Sequence, residues 1–269
     1  MLEGTFTELS VLLTPPFVAS GFLFFSTWLI SVFISDASIV DRIWGSSFAV
    51  IAISLLATTD INSPRLWAVT TLICIWGFRL SWHIHNRNKG HPEDYRYQNF
   101  RRKNPRYFPY ICLVTVYTSQ MLLSFVVALP ILVLFHNPGD AAFPSFFDIM
   151  GALVWVVGMM FEVGGDLQLK RFKANPENKN KVLDAGFWGL TRHPNYFGDA
   201  LQWWGIFILS LNSPLWYVAI IGPVLMTYLL RNVSGVSLLE KGLHKRKPEY
   251  QAYVEGVPAF VPRLWKRKK

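Results

Sequence analysis

The chain has 269 residues, of which 52% are hydrophobic, 16% aromatic and only 16% charged. Soluble domains carry about 25% charged residues, and the apolar residues here fall in blocks of membrane-spanning length, which excludes an ordinary soluble fold. A net charge of +9 would admit a nucleic-acid partner, but the cations are sorted along the chain in a way that nucleic acid does not explain.

Seven apolar blocks predict membrane spans over residues 17–34, 43–59, 66–84, 110–135, 145–165, 197–211 and 215–231. The fold class expected is therefore all-α and polytopic, a single seven-helix domain over 1–269. The N-terminal stretch MLEGTFTELS has acidic residues and no basic region, so no cleaved signal peptide is expected. The basic residues collect in the loops 85–106 and 170–193 and in the tail 241–269, which seven spans place on one side. Arg65 alone, of 26 Lys and Arg, falls on the other side. This positive-inside pattern predicts an outside N-terminus, a cytoplasmic C-terminus and contact of most cations with membrane lipid headgroups. Cys74 and Cys112 lie in or at the end of apolar runs and read as buried free thiols.

Polar residues inside such spans are the candidate functional residues. The second span opens with Asp41-Arg42-Ile43-Trp44-Gly45, where Asp41 is either a cavity acid or the ion-pair partner of Arg42. The third closes with Arg79. The loop after it, with Glu93-Asp94-Tyr95-Arg96-Tyr97 and Arg101, mixes both signs and reads as a folded loop. In the fifth span Glu162, Asp166, Lys170 and Lys173 recur at steps of four and three, on one helix face. Two carboxylates one turn apart repel each other, so Glu162 needs a partner or a wet cavity. A ribose or an amide suits that cavity, and Lys170, Arg171 and Lys173 suit phosphates.

The sixth span begins in Gly189-Leu-Thr-Arg-His-Pro-Asn-Tyr-Phe-Gly-Asp199. Pro194 suits a first helical turn. Asn195, Tyr196 and Asp199 share a face, which Gln202 and Trp203 extend inward. A helix N-terminus flanked by Arg192 and His193 suits a phosphate or pyrophosphate. Asp199, deeper, is suited to deliver a proton, or to lock structurally onto Arg192. His83, His85, His91, His136 and His193 form no ligand-spaced set, so no metal is expected. With no GxGxxG after a strand and no P-loop, a nucleotide cofactor must be held by helices and loops.

Together these residues resemble a membrane reductase group. GFWGLTRHPNYFGD is similar to the pattern of the sterol C14 and Δ7 reductases and steroid reductases. Asp166-x-Gln168 with Phe172-Lys173 resembles their basic cofactor motif, although Leu169 stands where a Lys usually follows the Gln. The tail from Leu238-Leu239-Glu240 through Tyr250-x-x-Tyr253 to Ala259-Phe260-Val261-Pro262 resembles the family C-terminus. Asp41-Arg-Ile-Trp-Gly, Arg79 and Glu93-Asp-Tyr-Arg-Tyr are similar in spacing to the bacterial branch of the steroid 5α-reductase family, the DUF1295 group. The resemblance covers roughly 36–262.

It implies a seven-helix enzyme that uses NADPH to reduce a carbon–carbon double bond in a steroid or sterol-like lipid, for example a 3-oxo-4-ene steroid. The lipid cavity is expected mainly from 17–135 and the NADPH half mainly from 145–262. Expected cofactor contacts are Arg79, Glu162, Asp166, Lys170, Arg171, Lys173, Arg192, His193, Asn195, Tyr196, Arg231, Glu240, Tyr250 and Tyr253. Expected catalytic residues are Asp199, Asp41 in place of a family Glu that grips the ketone, and Tyr97. A monomer is expected, in a bacterial inner membrane or an endoplasmic reticulum. The rival is an isoprenylcysteine-type membrane methyltransferase using S-adenosylmethionine, a family that also carries an Arg-His-Pro-x-Tyr segment and a similar tail. Asn195 and the Asp166/Lys173 stripe favour NADPH, whose ribose 2′-phosphate S-adenosylmethionine lacks.

Overall fold

The structure, a computed structural model, describes residues 2–179, 181–233, 235–236 and 250–263, with side chains from residue 8 onward. Regular structure among the described residues is entirely helical. The chain divides into two compact units, Met1–Phe143 with Asn212–Val218 and Pro144–Leu211 with Ala219–Lys269. Each is described by itself.

The first unit opens with α1 (Leu2–Ile34). Its end is a left-handed residue, Ser35 (φ 55°), and the Asp36 N–H returns to the Ser31 carbonyl at 3.1 Å. This is the Schellman arrangement that usually uses glycine. Asp36 then caps a short 3-10 turn at Ala37–Ile39 that leads into α2 (Val40–Thr58). Pro64 starts α3 (Pro64–Asn88). The two helices run antiparallel and touch at backbone level. A Cβ on Gly45 or on Gly77 would lie 2.4 Å from the other residue's carbonyl oxygen. Beyond this contact the Ser46 and Ser81 hydroxyls bond at 2.6 Å.

Asp94 caps α4 (Tyr95–Lys103) by accepting from the Arg96 N–H. A continuous helical stretch follows: α5 (Phe108–Cys112), a π-helical segment at Leu113–Thr118 and α6 (Ser119–Val127). Pro130 marks a break before α7 (Leu129–His136). Arg65, the cation that departs from the positive-inside pattern, is only 2% exposed. It donates to the carbonyls of Pro138 and Ala141 at 2.6 and 2.9 Å, so it fastens the start of α3 to the loop after α7.

The second unit is built on α8 (Phe146–Ala174), which a Ser145/Asp148 capping box starts, and α10 (Pro194–Ser210). The short α9 (Phe187–Leu190) lies between them in sequence. After α10 come α11 (Trp216–Ala219), which starts at the edge of the first unit, α12 (Ile221–Tyr228) with a π-helical end at Leu229–Val233, and α13 (Tyr250–Gly256). Gly151, Gly158 and Gly165 face Gly205, Gly198 and the Pro194-Asn195 turn in antiparallel order. Seven-residue spacing on both helices keeps the small residues in one seam, because two helical turns fall close to seven residues.

Five helical stretches are long and apolar enough to cross a membrane: Glu8–Ile34, Ala37–Thr58, Phe108–Val127, Phe146–Ala174 and Trp216–Val233. Many of their large apolar side chains are exposed, Phe22 and Phe33 among them, as lipid-facing helices require. The protein is a multi-pass membrane protein. The other two expected spans differ in kind. α3 carries Arg79, His83, His85 and Arg87 in its last three turns. α10 has 17 residues, 11 of them buried; it is about 25 Å long, short of a hydrocarbon core of about 30 Å. The thiols of Cys74 and Cys112 are free, with Cys112 buried and Cys74 half-buried.

A Cβ on Gly198 would meet the Glu162 nitrogen and the Gly158 oxygen at 2.4 Å. Gly198→Ala is therefore expected to destabilise by about 1–3 kcal/mol or more through overpacking, outweighing a helix-propensity gain of about 1 kcal/mol. Gly21→Ala, with nothing within 4 Å, is the control and should not lower stability. Ser35→Gly is expected to raise stability by about 1 kcal/mol. Thermal unfolding of the detergent-purified protein measures all three.

Candidate functional site

In the second unit the close seam sets two carboxylates of α8 against two amides of α10. The Asn195 amide donates to Asp166 at 3.1 Å. Deeper in the seam, one turn back along α8 and two turns on along α10, the Gln202 amide donates to Glu162, which is 2% exposed. Gln202 is thus the partner Glu162 needed, and the sequence pattern had shown only its face. Two polar atoms of these helices, Gln202 Oε1 and Trp155 Nε1, are buried without a hydrogen-bond partner among the described residues. Asp199 is buried on α10. Near its start, the His193 and Tyr196 rings stack, with centroids 5.8 Å apart and planes at 11°. Lys170, Arg171 and Lys173 are exposed at the end of α8, and Arg231 is exposed after α12.

The segment before α10 is held from two directions. Gln168 accepts from the Phe187 N–H at 3.0 Å, and the Trp188 indole donates to the Gly165 carbonyl at 3.0 Å. Gly186, at φ +61°, leaves no room for a Cβ, which would sit 2.2 Å from the Gln168 amide nitrogen. From the other side comes the tail. Arg192 is buried, and its Nη1 donates to the carbonyls of Val254 and Val257 at 3.0 and 2.6 Å. The Arg192 N–H reaches Pro258, the Arg263 N–H reaches Leu190, and the Thr191 hydroxyl reaches Phe260. Tyr253 donates to the Trp188 carbonyl at 2.6 Å and packs on Tyr250, both rings buried. Arg192 and Tyr253, expected at the cofactor, therefore also bind the tail to the segment that starts α10. Trp188 and Thr191 hold the tail too, Gln168 and the Trp188 indole tie the same segment to α8, and no ionisable chemistry marked these residues in the sequence. Glu240 lies outside the described residues.

In the first unit Asp41 pairs with neither of its sequence neighbours. Arg42 goes to Asp36 at 3.1 Å. Asp41 instead accepts from the Tyr97 hydroxyl at 3.0 Å and from Arg96 at 3.2 Å. Arg96 also binds Asp94 at 2.9 Å. Glu93 accepts the Ala37 N–H at 2.7 Å and Arg101 at 2.8 Å. The mixed-charge loop is folded, and its pairs join α4 to the start of α2. The Tyr97 ring is buried with Phe24, Val40, Phe108, Cys112, Tyr117 and Met121. Burial and then the Asp41 carboxylate push the Tyr97 phenol far above its usual range, so it stays a proton donor. Burial alone would raise the Asp94 carboxyl, but hydrogen bonds and charge from Arg96 outweigh it and hold it below the ordinary value. Arg96, despite burial, is held more firmly protonated by Asp94 and Asp41. Arg79 is half-buried on α3.

The profile of one family, described as a protein of unknown function (DUF1295), matches residues 27–257. The chain belongs to the DUF1295 family. An uncharacterized protein of Schizosaccharomyces pombe is 24% identical over 93% of this chain and 81% of its own length. Shorter stretches match a Delta(14)-sterol reductase of Arabidopsis thaliana, 32% identical over 25% of this chain and 21% of that protein. Steroid 5-alpha-reductase DET2 of Gossypium hirsutum is 32% identical over 23% and 24%. A probable O-methyltransferase of Ustilaginoidea virens is 41% identical over 17% and 16%. The chain thus spans about a quarter or less of the length of each relative with a named activity. No solved structure matches.

The α8–α10 arrangement fits a nicotinamide dinucleotide chemically. A half-buried carboxylate–amide pair offers acceptors and a donor to a ribose or a carboxamide, exposed cations one and two turns on suit phosphates, and the unpartnered Gln202 Oε1 lies deeper in the same seam. In this DUF1295 member the sign of the Asp94 shift gives a test. A depressed carboxyl stabilises above the ordinary Asp value of about 3.9 and loses that contribution as pH falls below it toward the folded-state value. Asp94→Asn is expected to be less stable at neutral pH and to show a shallower loss on acidification. Melting temperature across the acid range checks this, and an unchanged acid slope would remove the role given to the Arg96–Asp94 pair.

Proposed function

We propose that the protein is an NADPH-dependent reductase of a carbon–carbon double bond in a steroid or related lipid, such as a 3-oxo-4-ene steroid converted to its 5α-dihydro product. The observation that carries this reading is the Asn195–Asp166 pair at the head of α10, beside the basic end of α8. The partial matches to sterol and steroid reductases support it. Asp166, Asn195 and Tyr196 would hold the nicotinamide end, and Lys170, Arg171, Lys173 and Arg231 the phosphates. NADPH, when bound, supplies the hydride that the β-carbon of the enone receives.

The residues of the chain handle the charge and the proton. As the β-carbon gains hydride, negative charge develops on the ketone oxygen. A donor aimed at that oxygen lowers the barrier. The Asp41–Tyr97 pair would take that role: with a ketone oxygen in reach, the Tyr97 hydroxyl would turn its single proton from Asp41 to that oxygen, and Arg96 would keep the Asp41 charge paired. Asp199 is the acid for the α-carbon, which completes the net addition of one hydride and one proton. We also infer seven crossings, with α3 and α10 shielded by other helices, an outside N-terminus and a cytoplasmic C-terminus. The membrane is a bacterial inner membrane or an endoplasmic reticulum, and the protein works as a monomer.

The match to a probable O-methyltransferase keeps S-adenosylmethionine as the second reading. Incubation of purified protein with NADPH and progesterone is expected to yield the saturated ketone by mass spectrometry. Asn195→Ala and Asp166→Ala should each weaken NADPH binding tenfold or so, the loss of one charge-assisted hydrogen bond. Tyr97→Phe should lower kcat about 10²–10³-fold, and Asp199→Ala should act mainly on turnover. Stabilisation by S-adenosylmethionine with none by NADPH would decide for the methyltransferase.

A further inference from the structure

The helix α4 has two faces with different work. Its inner face carries Tyr97, buried in the first unit's core, and Arg101, which pairs with Glu93 and lies over the Phe108 ring at 4.3 Å. Its outer side and the turn beyond carry Arg102, Lys103 and Arg106, all exposed. None of these three is in an ion pair among the described residues. The nearby acids in the loop are already engaged, Glu93 by Arg101 and Asp94 by Arg96. The next residues are Tyr107 and Tyr110, 58% and 68% exposed, at the start of the apolar stretch Phe108–Val127. Arg106 lies over the Tyr107 ring at 5.6 Å.

This sequence of features places three uncommitted cations and two exposed phenols where a crossing helix leaves the hydrocarbon. Phenols sit at headgroup depth, and basic residues there attract anionic lipid. A helix of nine residues is marginal by itself in water, and Arg102 and Lys103 lie in its last turn, with Arg106 just beyond it. Anchoring that end to an anionic surface would restrain the helix that carries Tyr97.

We propose that residues 102–107 bind anionic phospholipid headgroups of the adjoining leaflet, and that this contact clamps α4 and so sets Tyr97 against Asp41. The effect on turnover rests on the reductase reading above; the lipid contact does not. The test is reconstitution into nanodiscs of phosphatidylcholine with or without phosphatidylglycerol. Hydrogen–deuterium exchange of α4 and NADPH-dependent steroid reduction are read in both. Phosphatidylglycerol is expected to slow exchange over residues 95–103 roughly tenfold in the wild type and to raise turnover, with high salt reversing both. The triple variant R102Q/K103Q/R106Q should keep the exchange and turnover seen in phosphatidylcholine and lose the response to phosphatidylglycerol. R102K/R106K should keep that response, which separates charge from folding. A wild type indifferent to phosphatidylglycerol, or a triple variant that still responds, overturns the proposal. An exchange response without NADPH-dependent turnover in either lipid upholds the clamp and overturns the reductase reading instead.

Discussion

The contact between the backbones of α8 and α10 is the constraint on which the second unit depends. Gly158 and Gly198 bring the two helices so close that even one methyl group would strike a peptide nitrogen and oxygen. Close approach shortens the gap that an amide side chain must bridge. Here the Asn195 and Gln202 amides reach Asp166 and Glu162. The glycines therefore do more than pack. They bring two carboxylates within reach of neutral amide donors. The site's polarity is a consequence of its lack of side chains at the crossing.

The first unit solves the same problem by another route. Gly45 and Gly77 bring α2 and α3 into backbone contact, but the carboxylate at the head of α2 is served from a loop. Asp41 takes its phenol and guanidinium from α4, fifty-odd residues along the chain. Glu93 holds that loop by accepting both the Ala37 N–H and Arg101. A long loop is entropically free to wander, so a side-chain pair built on it needs several anchors. Buried polar networks of this kind are rigid when each member is satisfied.

Much of this was legible in the sequence because apolar runs and polar interruptions are local signals. The five long apolar helices, the stripe from Glu162 to Lys173 and the mixed-charge loop all appear at or near their expected positions. Pairing was less legible, because it depends on register. Asp41 beside Arg42 suggests an ion pair in one dimension, yet Arg42 turns back to Asp36. Arg192 reads as a phosphate ligand by charge alone, yet the carbonyls of Val254 and Val257 engage it, sixty residues away. The missed signal was the seven-residue spacing of Gly151, Gly158 and Gly165 and of Gly198 and Gly205. It names the helix seam, and with the seam the two rungs follow. Arg65 shows the converse: its departure from the charge pattern is the mark of a buried structural role.

The division of chemistry between the clusters bears on the reaction class. Methyl transfer from a sulfonium needs a nucleophile and a site for the cofactor, and it creates no negative charge on the acceptor that a donor must meet. Conjugate reduction does create such charge, on the ketone oxygen. A buried phenol whose one proton rests on a carboxylate can turn that proton to such an oxygen, which is what the proposed reduction asks of Tyr97. The α8–α10 seam bears on the cofactor: exposed cations beside a carboxylate–amide pair suit the ribose 2′-phosphate that S-adenosylmethionine lacks, and the proposed reduction rests on it. The Asp41–Tyr97–Arg96 cluster is a second, separate support for the proposed reduction, because it holds a proton that developing negative charge could draw.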